Sequence, residues 1–480
     1  MKLVIVGGSD AGISAALRAR ELDPGTDVTV VIADRFPNFS ICGIPYYISG
    51  EVTHWRNLAH RSHADLEATG MRLRMDTFAT GIDVPRQRLV VRNPDGSVDS
   101  LPYDELVVGT GAVPVRPPID GLTAASVAAD GQVDLGPSDG VHWLHSMGDT
   151  FALTASLDSI RPKTALIVGA GYVGLEMAEG LTARGIKVTQ VERLPEVLPT
   201  VDAELGALVR DELARNGVDV HVDTTVTRIV RNQPDAVGRL HVEGQRDGER
   251  LEWDVDLVLV VVGVAPDTGL LVGAGADTGS RGAVVVDETM ATGLPHVWAA
   301  GDCVVTHHRL LGVTYLPLGT TAHKQGRVAG ENAIGGSARF AGSLGTQVVK
   351  IFDLVAARTG LRDHEAITAG FDPASSTSSA DDHKAYYPGA SPITIRVTGD
   401  VDSGRLLGAQ LIGARGTETA KRVDTYATAL FHEMTVAQLG ELDLSYTPPL
   451  GSPWDAIQLA AQAWSRDHRS DRESAFGRQG

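Results

Sequence analysis

Residues 164–192 read TALIVGAGYVGLEMAEGLTARGIKVTQVE, and they decide the fold of the first domain that can be recognised. The apolar run Thr164–Val168 predicts a strand, Gly169-Ala170-Gly171-Tyr172-Val173-Gly174 completes a G-x-G-x-x-G turn, and Leu175–Arg184 predicts a helix. A second apolar run, Lys187–Val191, predicts the next strand. This order is that of a βαβ unit whose helix N-terminus receives a pyrophosphate. These residues therefore predict a dinucleotide-binding domain.

The second strand of this unit ends at an acid, which bears on the choice of cofactor. Glu192 lies 18 residues after Gly174, close to the position where an acid accepts the ribose hydroxyls of a dinucleotide. This acid disfavours a 2′-phosphate and therefore favours NADH. Arg193 follows directly and could pair with that phosphate, so NADPH stays open. We expect Gly169, Gly171, Gly174 and Glu192 to bind NADH or NADPH.

A less regular copy of the same unit opens the chain. Leu3–Val6 predicts a strand, Gly7-Gly8-Ser9-Asp10-Ala11-Gly12 the turn, Ile13–Leu22 a helix and Val28–Ile32 the second strand. Ser9 stands where the pattern has its second glycine. Two such units predict two dinucleotide sites in one chain. The residues assigned to this site are Gly7, Gly8, Gly12 and, two positions later than the usual ribose acid, Asp34.

Composition and charge exclude several classes of protein. The chain has 480 residues, of which 43% are apolar and 21% charged, and its length predicts about three globular domains. A net charge of −18 without a basic patch excludes a nucleic-acid binder. Two cysteines cannot form a disulfide framework, and we assign no metal site. No apolar run approaches the roughly 20 residues of a membrane helix, and no signal peptide is recognised, so we expect a cytoplasmic protein without a membrane partner.

The remaining segments predict strands and loops around these units. Leu106–Gly111, Leu257–Gly263 and Val297–Asp302 predict buried strands, the last of which ends in an acid. The alternating residues 393–398 predict an antiparallel strand that pairs with Leu406–Ile412. Three segments are predicted to be irregular: an insertion over residues 123–140, a Ser/Thr loop over Ser375–Ser379, and a flexible tail over residues 466–480.

Cys42 is the candidate for redox chemistry. It lies ten residues after the second strand, and Gly43 and Pro45 behind it indicate a turn into a helix. A thiol at a helix N-terminus has a lowered pKa and acts as a nucleophile or a redox group. The structural alternative is a small buried hydrophobe, which is our expectation for Cys303. No second cysteine has C-x-x-C spacing, so a disulfide at Cys42 would be formed with an external sulfur.

Several motifs occur together and in order over roughly residues 1–460, and they resemble those of one enzyme family. The motifs are Gly7-Gly8, Phe39-x-x-Cys42-Gly43-Ile44-Pro45-Tyr46-Tyr47, Gly109-Thr110-Gly111-Ala112-x-Pro114, residues 169–174, Ala300-Gly301-Asp302, Pro317-Leu318-Gly319-Thr320-Thr321-Ala322 and Gly326-Arg327. The chain resembles the coenzyme A-disulfide reductases, in the single-cysteine branch of the flavin- and pyridine-nucleotide-dependent disulfide oxidoreductases. NADH oxidase and NADH peroxidase are relatives in this branch.

The resemblance implies an α/β fold with two Rossmann-like domains and a C-terminal α+β dimerisation domain. It implies FAD on the first unit, held in part by Thr110, Gly111 and Asp302, with Asp302 on the ribityl chain, and NAD(P)H on the second. Tyr387 and Tyr446 resemble tyrosines that the family places near the cysteine, and in relatives the second reaches it across a homodimer. The implied domains are FAD-binding (1–115 and 285–335), NAD(P)H-binding (145–280) and dimerisation (340–465).

Three residues depart from the family pattern near the substrate. Ile41 replaces the usual Asn, Glu21 stands where an Arg often binds coenzyme A phosphates, and Asp10 stands where NADH peroxidase has a His. A carboxylate at Asp10 would raise the pKa of Cys42 by like charge, or would protonate the leaving group. The structural alternative for Asp10 is a loop cap that accepts from a backbone N–H.

The sequence therefore predicts an FAD-dependent NAD(P)H:disulfide reductase that acts on a low-molecular-weight, coenzyme A-like disulfide through Cys42. One alternative is an NADH oxidase or peroxidase that cycles Cys42 through sulfenic acid. A second alternative, from another class, is a flavoprotein that serves as a redox-dependent binding partner with Cys42 idle.

Overall fold

The computed structural model describes residues 1–122, 135–233 and 236–469. The predicted insertion lies outside these residues except for residues 135–140, where Pro137–Asp139 form a 3₁₀ turn. In the three described ranges, no helix is long and apolar enough to cross a membrane.

The N-terminal segment forms a parallel sheet and a small antiparallel sheet. Its elements are strands β1 Lys2–Val6, β2 Asp27–Val31, β3 Arg72–Arg74, β4 Phe78–Asp83, β5 Arg88–Arg92, β6 Val98–Pro102, β7 Glu105–Val108 and β8 Ala112–Pro114, and helices α1 Asp10–Leu22, α2 Ile44–Ser49 and α3 His63–Ala68. Strands β7, β1, β2 and β3 pair in parallel in that order, and β4–β6 form an antiparallel meander. Strand β1 is buried on both faces after its first residue, as its continuous apolar run predicts.

The middle segment forms a second parallel sheet of the same kind. Its elements are strands β9 Val141–His142, β10 Thr164–Val168, β11 Lys187–Val191, β12 Asp219–His221, β13 Thr225–Arg231, β14 Leu240–Arg246, β15 Glu249–Val255, β16 Leu257–Val260 and β17 Val264–Pro266, and helices α4 Met147–Ile160, α5 Tyr172–Ala183, α6 Ala203–Arg215 and α7 Gly269–Val272. The sheet order is β12-β11-β10-β16-β9, and β13–β15 form a separate antiparallel sheet.

After the middle segment, the chain returns to the first sheet. The elements are β18 Val297–Ala299, β19 Thr306–His308, β20 Gly312–Thr314 and α8 Gly319–Asn332. Strand β18 pairs in parallel with β7 and completes a five-stranded sheet. Helix α8 crosses α1 so closely that a Cβ on Gly326 would lie 2.2 Å from the carbonyl oxygen of Ala11. The helices can pack at this distance because α8 has glycine there.

The C-terminal segment forms an α+β layer. Its elements are strands β21 Gln347–Ile351, β22 Leu354–Gly360, β23 Pro373–Asp381, β24 Pro392–Asp400 and β25 Leu406–Ala414, and helices α9 Asp363–Thr368, α10 Thr419–Phe431, α11 Val436–Gly440 and α12 Ala456–Asp467. The antiparallel sheet has the order β21-β22-β25-β24-β23. The predicted pairing of 393–398 with 406–412 is confirmed, as is the predicted fold class.

Two expectations in this segment are wrong. The predicted Ser/Thr loop is part of β23, because its backbone pairs with β24 and its hydroxyls find acidic partners: Ser376 donates to Asp467 at 2.9 Å and Thr377 to Glu204 at 2.8 Å. The predicted tail also begins too early, because α12 continues to Asp467. The rest of the predicted tail from residue 470 lies outside the described residues.

An arginine-carboxylate cluster joins the C-terminal layer to the middle segment. Arg358 and Arg362 donate to the carboxylate of Glu365 at 2.7 and 2.9 Å and to the carbonyl oxygens of Thr200 and Pro199 at 2.7 and 2.8 Å. Burial alone would raise the pKa of Glu365, but the two arginines lower it to about 2. A carboxyl whose pKa is lower in the folded state contributes stability above its unfolded pKa and loses it as the pH falls towards the folded value.

We therefore expect Glu365→Gln to destabilise the protein by about 2 kcal/mol at neutral pH, which corresponds to part of the pKa shift after discounting for solvent. The difference in the free energy of unfolding between this variant and wild type should shrink as the pH falls from about 4.5 to 2, because Glu365 itself becomes protonated in that range. Urea unfolding at several pH values measures this, with exposed Glu441→Gln as the control. A difference that stays constant down to pH 2 would contradict the assignment.

Candidate active site

The first glycine turn is built from close backbone approaches. Gly7 has φ +113°, and a Cβ there would lie 2.1 Å from the carbonyl oxygen of Gly109. A Cβ on Gly12 would lie 2.1 Å from the carbonyl oxygen of Gly7. Gly111, with φ +75°, has open space where its Cβ would point. This cradle, at the N-terminus of α1, fits the pyrophosphate of a dinucleotide.

The other residues predicted to contact FAD surround this turn. Asp302 follows β18, and burial and then the charge of Asp10 raise its pKa to about 6. A hydroxyl that donates to Asp302 would offset the cost of burying its carboxylate. A hydroxyl of the ribityl chain of FAD could make this hydrogen bond. Thr110 donates its hydroxyl to the carbonyl of Asp267 at 2.5 Å, which ties this turn to the middle segment. The FAD contacts of Asp302 and Thr110 stay predictions.

Asp34 is exposed and already accepts a hydrogen bond from the N–H of Phe36 at 2.8 Å. At the usual position of the ribose acid, Ile32 is buried and would touch a Cβ on Gly8. The ribose contact of Asp34 therefore stays a prediction. It requires the Asp34 carboxylate to accept from a ribose hydroxyl as well as from the N–H of Phe36.

The second glycine turn is also closely packed. Gly169 has φ +105°, and a Cβ there would lie 2.6 Å from the carbonyl oxygen of Val261. A Cβ on Gly174 would lie 2.2 Å from the carbonyl oxygen of Gly169, whereas Gly171 faces open space. The N-terminus of α5 therefore offers a second cradle of the same kind, which fits the pyrophosphate of NAD(P)H.

Glu192 is bound to the glycine turn itself. Its Oε2 accepts from the N–H of Ala170 at 2.7 Å and its Oε1 from the N–H of Leu194 at 2.9 Å. Each carboxylate oxygen can accept a second hydrogen bond, so the ribose contact stays a prediction. Arg193 beside it is exposed.

Cys42 is exposed, whereas Cys303 is fully buried, as expected for a core residue. The predicted lowering of the Cys42 pKa is wrong. The thiol lies in the 3₁₀ turn Ile41–Gly43 and the following helix has only six residues, so the helix favours a thiolate little. Partial dehydration by the surrounding chain raises the pKa of Cys42, and the carboxylates of Glu176, Asp10 and Asp302 raise it further.

The sequence analysis gave no role to Tyr46, a residue of the cysteine motif, and missed Glu176. Tyr46, on α2, donates its hydroxyl to Glu176 Oε1 at 3.0 Å, and Glu176 lies on α5, two residues after the last glycine of the second turn. The available signal was an acid in the first turns of a helix that follows a pyrophosphate-binding loop.

Asp10, the first residue of α1, is paired with a histidine. Its Oδ1 lies 3.3 Å from Nε2 of His323, whose Nδ1 is 2.8 Å from the hydroxyl of Ser14. The Asp10 carboxylate raises the pKa of His323, and it also adds to the raised pKa of Cys42. The recorded partner of Asp10 is therefore a side chain that can carry a proton. Its catalytic role stays a prediction.

We expect Asp10→Ala to shift the pH dependence of Cys42 alkylation to lower pH, because the substitution removes a negative charge near the thiol. The shift should be a fraction of a pH unit, since His323 already balances part of the Asp10 charge. Alkylation rates of the NADH-reduced, flavin-loaded enzyme across roughly pH 5 to 9 measure it. Superimposed profiles would restrict Asp10 to a structural role.

The two tyrosine-bearing segments meet on the C-terminal layer. The N–H of Lys384 donates to the carbonyl oxygen of Pro448 at 3.3 Å, and partial burial and the neighbouring Tyr386 raise the pKa of the Tyr446 hydroxyl. The ring of Tyr387 packs edge-on against His383, with 5.8 Å between the ring centroids. All three tyrosines are exposed. The roles of Tyr387 and Tyr446 near the cysteine stay predictions, and Tyr386 is the tyrosine that lies next to Tyr446.

The basic residues near Glu21 are already paired. Arg18 lies 3.0 Å from Glu21 and 2.7 Å from Glu331, and Arg327 lies 3.4 Å from Glu21. The two pairs of Glu21 are partly exposed and are worth at most about 1 kcal/mol each, whereas Arg18 and Glu331 form a half-buried pair. A phosphate that binds at this position would have to displace these carboxylates.

Residues 1–326 match the family described as pyridine nucleotide-disulphide oxidoreductase, and residues 346–456 match its dimerisation domain. A CoA-dependent NAD(P)H sulfur oxidoreductase of Pyrococcus abyssi is 32% identical over 96% of this chain and 97% of its own length. An NADH oxidase of Methanocaldococcus jannaschii is 30% identical (96% and 98%), and a coenzyme A disulfide reductase of Staphylococcus haemolyticus is 27% identical (95% and 98%).

Among solved structures, the chain is similar to an NAD-dependent persulfide reductase from A. fulgidus. The TM-score is 0.88 with 35% identity, and the match covers 98% of this chain and 84% of that one. These matches confirm the expected resemblance and the two expected cofactors.

Proposed function

Because the chain belongs to the pyridine nucleotide-disulphide oxidoreductases, which bind FAD and NAD(P)H, we propose that it reduces a coenzyme A-linked disulfide or persulfide through Cys42. The observation that carries this proposal is the contrast between the two cysteines of the chain. Cys42 is exposed beside both glycine-turn helices, while Cys303 is fully buried. Sulfur exchange at Cys42 therefore needs a sulfur atom from the substrate.

The proposed cycle is a thiol–disulfide exchange at one sulfur. The Cys42 thiolate attacks one sulfur of the substrate, a bond forms between them, and the other half leaves as a thiol after taking a proton. Bound FAD would relay two electrons from NAD(P)H to the resulting mixed disulfide. Those electrons and one proton break the sulfur–sulfur bond, which releases the second thiol and restores the Cys42 thiolate.

In the proposed enzyme, residues 1–115 and 285–335 hold FAD, residues 145–280 hold NAD(P)H, and residues 340–465 form a homodimer. The exposed aromatic side chains Tyr386, Tyr446 and Trp454 on the last segment support an interface there. In that dimer, the hydroxyl of Tyr446 would protonate a leaving thiolate at the partner's Cys42, and Tyr387 would lie near the same site.

The test is a steady-state assay of NADH and NADPH oxidation with coenzyme A disulfide, with coenzyme A persulfide, and with oxygen alone. We expect a kcat/KM at least tenfold higher for one of the sulfur substrates than for oxygen. A kcat/KM for oxygen that equals or exceeds those for both sulfur substrates would contradict the proposal and support the alternative, an NADH oxidase, which the M. jannaschii relative favours. A complete lack of turnover would favour the other alternative, in which this protein is a redox-dependent binding partner and Cys42 is idle.

A further inference from the structure

The structure exposes a short basic segment on the surface of this acidic protein. Residues 54–63 read HWRNLAHRSH, with three histidines, two arginines and no acid, whereas the whole chain has 60 acidic residues and 42 lysines and arginines. All five basic side chains are exposed: His54, Arg56, His60, Arg61 and His63. The sequence analysis recognised no basic patch, because the segment is short and three of its five basic side chains are histidines. We call residues 54–63 the basic segment.

The basic segment lies against the turn that carries the exposed cysteine. The N–H of Ser40 donates to the carbonyl oxygen of Leu58 at 2.8 Å, and the N–H of His60 donates to that of Asn38 at 2.9 Å. A Cβ on Gly43, the residue after the cysteine, would lie 2.7 Å from Cδ2 of Leu58. The basic segment is therefore attached directly to the cysteine turn, and a substrate that reaches the cysteine lies near it.

The two arginines of the basic segment have no carboxylate ion-pair partner in the part of the chain that the structure describes. The Arg56 guanidinium lies over the ring of Trp55, 4.4 Å from the ring centroid. Stacking of this kind orients a guanidinium by its face and leaves the N–H groups at its edge able to donate. Arg61 directly follows His60, whose ring is 6.4 Å from that of His323 on α8. Both guanidinium groups can therefore bind an external anion.

The arginines of α1 and α8 differ in this respect. Arg18 is held by two carboxylates, and Arg327 pairs with Glu21 at 3.4 Å. An anion that binds there must first displace a carboxylate, whereas an anion that binds the arginines of the basic segment displaces none. The charge pairing in this chain therefore favours the basic segment as the site for the anionic end of a substrate.

The chemistry of arginine fits the phosphates of the proposed substrate. A planar guanidinium donates N–H groups in pairs to phosphate oxygens. Coenzyme A carries its sulfur at one end of a long flexible arm and its phosphates at the other end. We propose that Arg56 and Arg61 bind the phosphates of the coenzyme A-linked substrate while its sulfur reaches Cys42, so that the basic segment determines the preference for a phosphorylated substrate. The proposal deepens the proposed function and rests on it.

The direct test is calorimetric binding of adenosine 3′,5′-bisphosphate, a fragment of coenzyme A that carries phosphates and no sulfur. The flavin-loaded enzyme is saturated with NAD⁺, so that the probe does not enter the dinucleotide site, and no turnover is needed. We expect Arg56→Gln and Arg61→Gln each to raise the Kd about fivefold or more, because each removes charge-assisted hydrogen bonds. Arg86→Gln is the matched control, since Arg86 is an exposed arginine between β4 and β5 that pairs with Asp83 at 2.9 Å.

A second measurement compares coenzyme A disulfide with pantethine, the disulfide of the same arm without phosphates. The ratio of their kcat/KM values should fall about tenfold or more in the double variant, because only coenzyme A disulfide carries the phosphates. An unchanged Kd or ratio overturns the proposal, and so does an equal effect in Arg86→Gln or a wild type that does not bind the probe. Failure of the proposed function has a different result: neither disulfide is turned over, while the probe still binds and the two arginine variants still weaken its binding.

Discussion

Replacing Cys42 by serine should lower disulfide-reductase turnover by at least about a thousand-fold while leaving FAD bound and reducible by NAD(P)H. A serine hydroxyl neither attacks a disulfide sulfur nor forms the mixed disulfide that must accept the electrons. Hydride transfer to the flavin involves the two glycine-turn domains and needs no thiol. Stopped-flow absorbance follows flavin reduction, and an NADH-oxidation assay with coenzyme A disulfide follows turnover.

Cys303→Ala is the matched control for this prediction. Cys303 is fully buried, with its sulfur 3.4 Å from the carbonyl oxygen of Ala300, so its loss should affect stability and leave the chemistry at Cys42 intact. Near-normal disulfide reduction by Cys42→Ser would count against the mechanism, and so would a flavin that NAD(P)H no longer reduces in that variant.

Gly326→Ala should destabilise the N-terminal domain by about 3 kcal/mol and release FAD. The added Cβ would lie 2.2 Å from the carbonyl oxygen of Ala11, and the atoms it meets belong to the α1 backbone, which cannot rotate away as a side chain would. Overpacking of this kind costs about 1–3 kcal/mol or more, because whole helices must move apart. Helix α1 begins at the first glycine turn, so this movement would also open the pyrophosphate cradle.

Thermal unfolding together with flavin fluorescence measures this effect. Gly269→Ala is the control, because Gly269 is also helical and has open space around the position of a Cβ. Equal melting temperatures and equal flavin content in the two variants would contradict the prediction, because the close contact of α1 with α8 would then be required neither for stability nor for FAD binding.

The two nucleotide-binding sheets could be predicted from sequence because their signals are local. A continuous apolar strand, a glycine turn and a helix specify one βαβ unit. The first and last glycines of each turn occupy positions where a Cβ would strike the backbone. The return of β18 to the first sheet was suggested only by the family resemblance, because it depends on contacts between residues nearly 200 positions apart.

The environment of Cys42 could not be predicted from its neighbours in sequence. The Gly43–Pro45 turn indicated a helix that would favour a thiolate. Instead, partial burial raises the pKa of Cys42, and the carboxylates of Glu176 and Asp302, which come from distant segments, raise it further. The prediction of a loop for the Ser/Thr run, which lies in β23, was wrong for a related reason. Its hydroxyls favour a loop unless a partner strand and acids such as Glu204 and Asp467 are brought beside it.

The most direct test of the account is the mass of the Cys42 peptide after the flavin-loaded enzyme has reacted with coenzyme A disulfide. The account predicts a mixed disulfide between Cys42 and coenzyme A, which disappears when NAD(P)H is added and is absent from Cys303. A Cys42 that stays unmodified, or that gains only an oxygen atom as sulfenic acid, would contradict it.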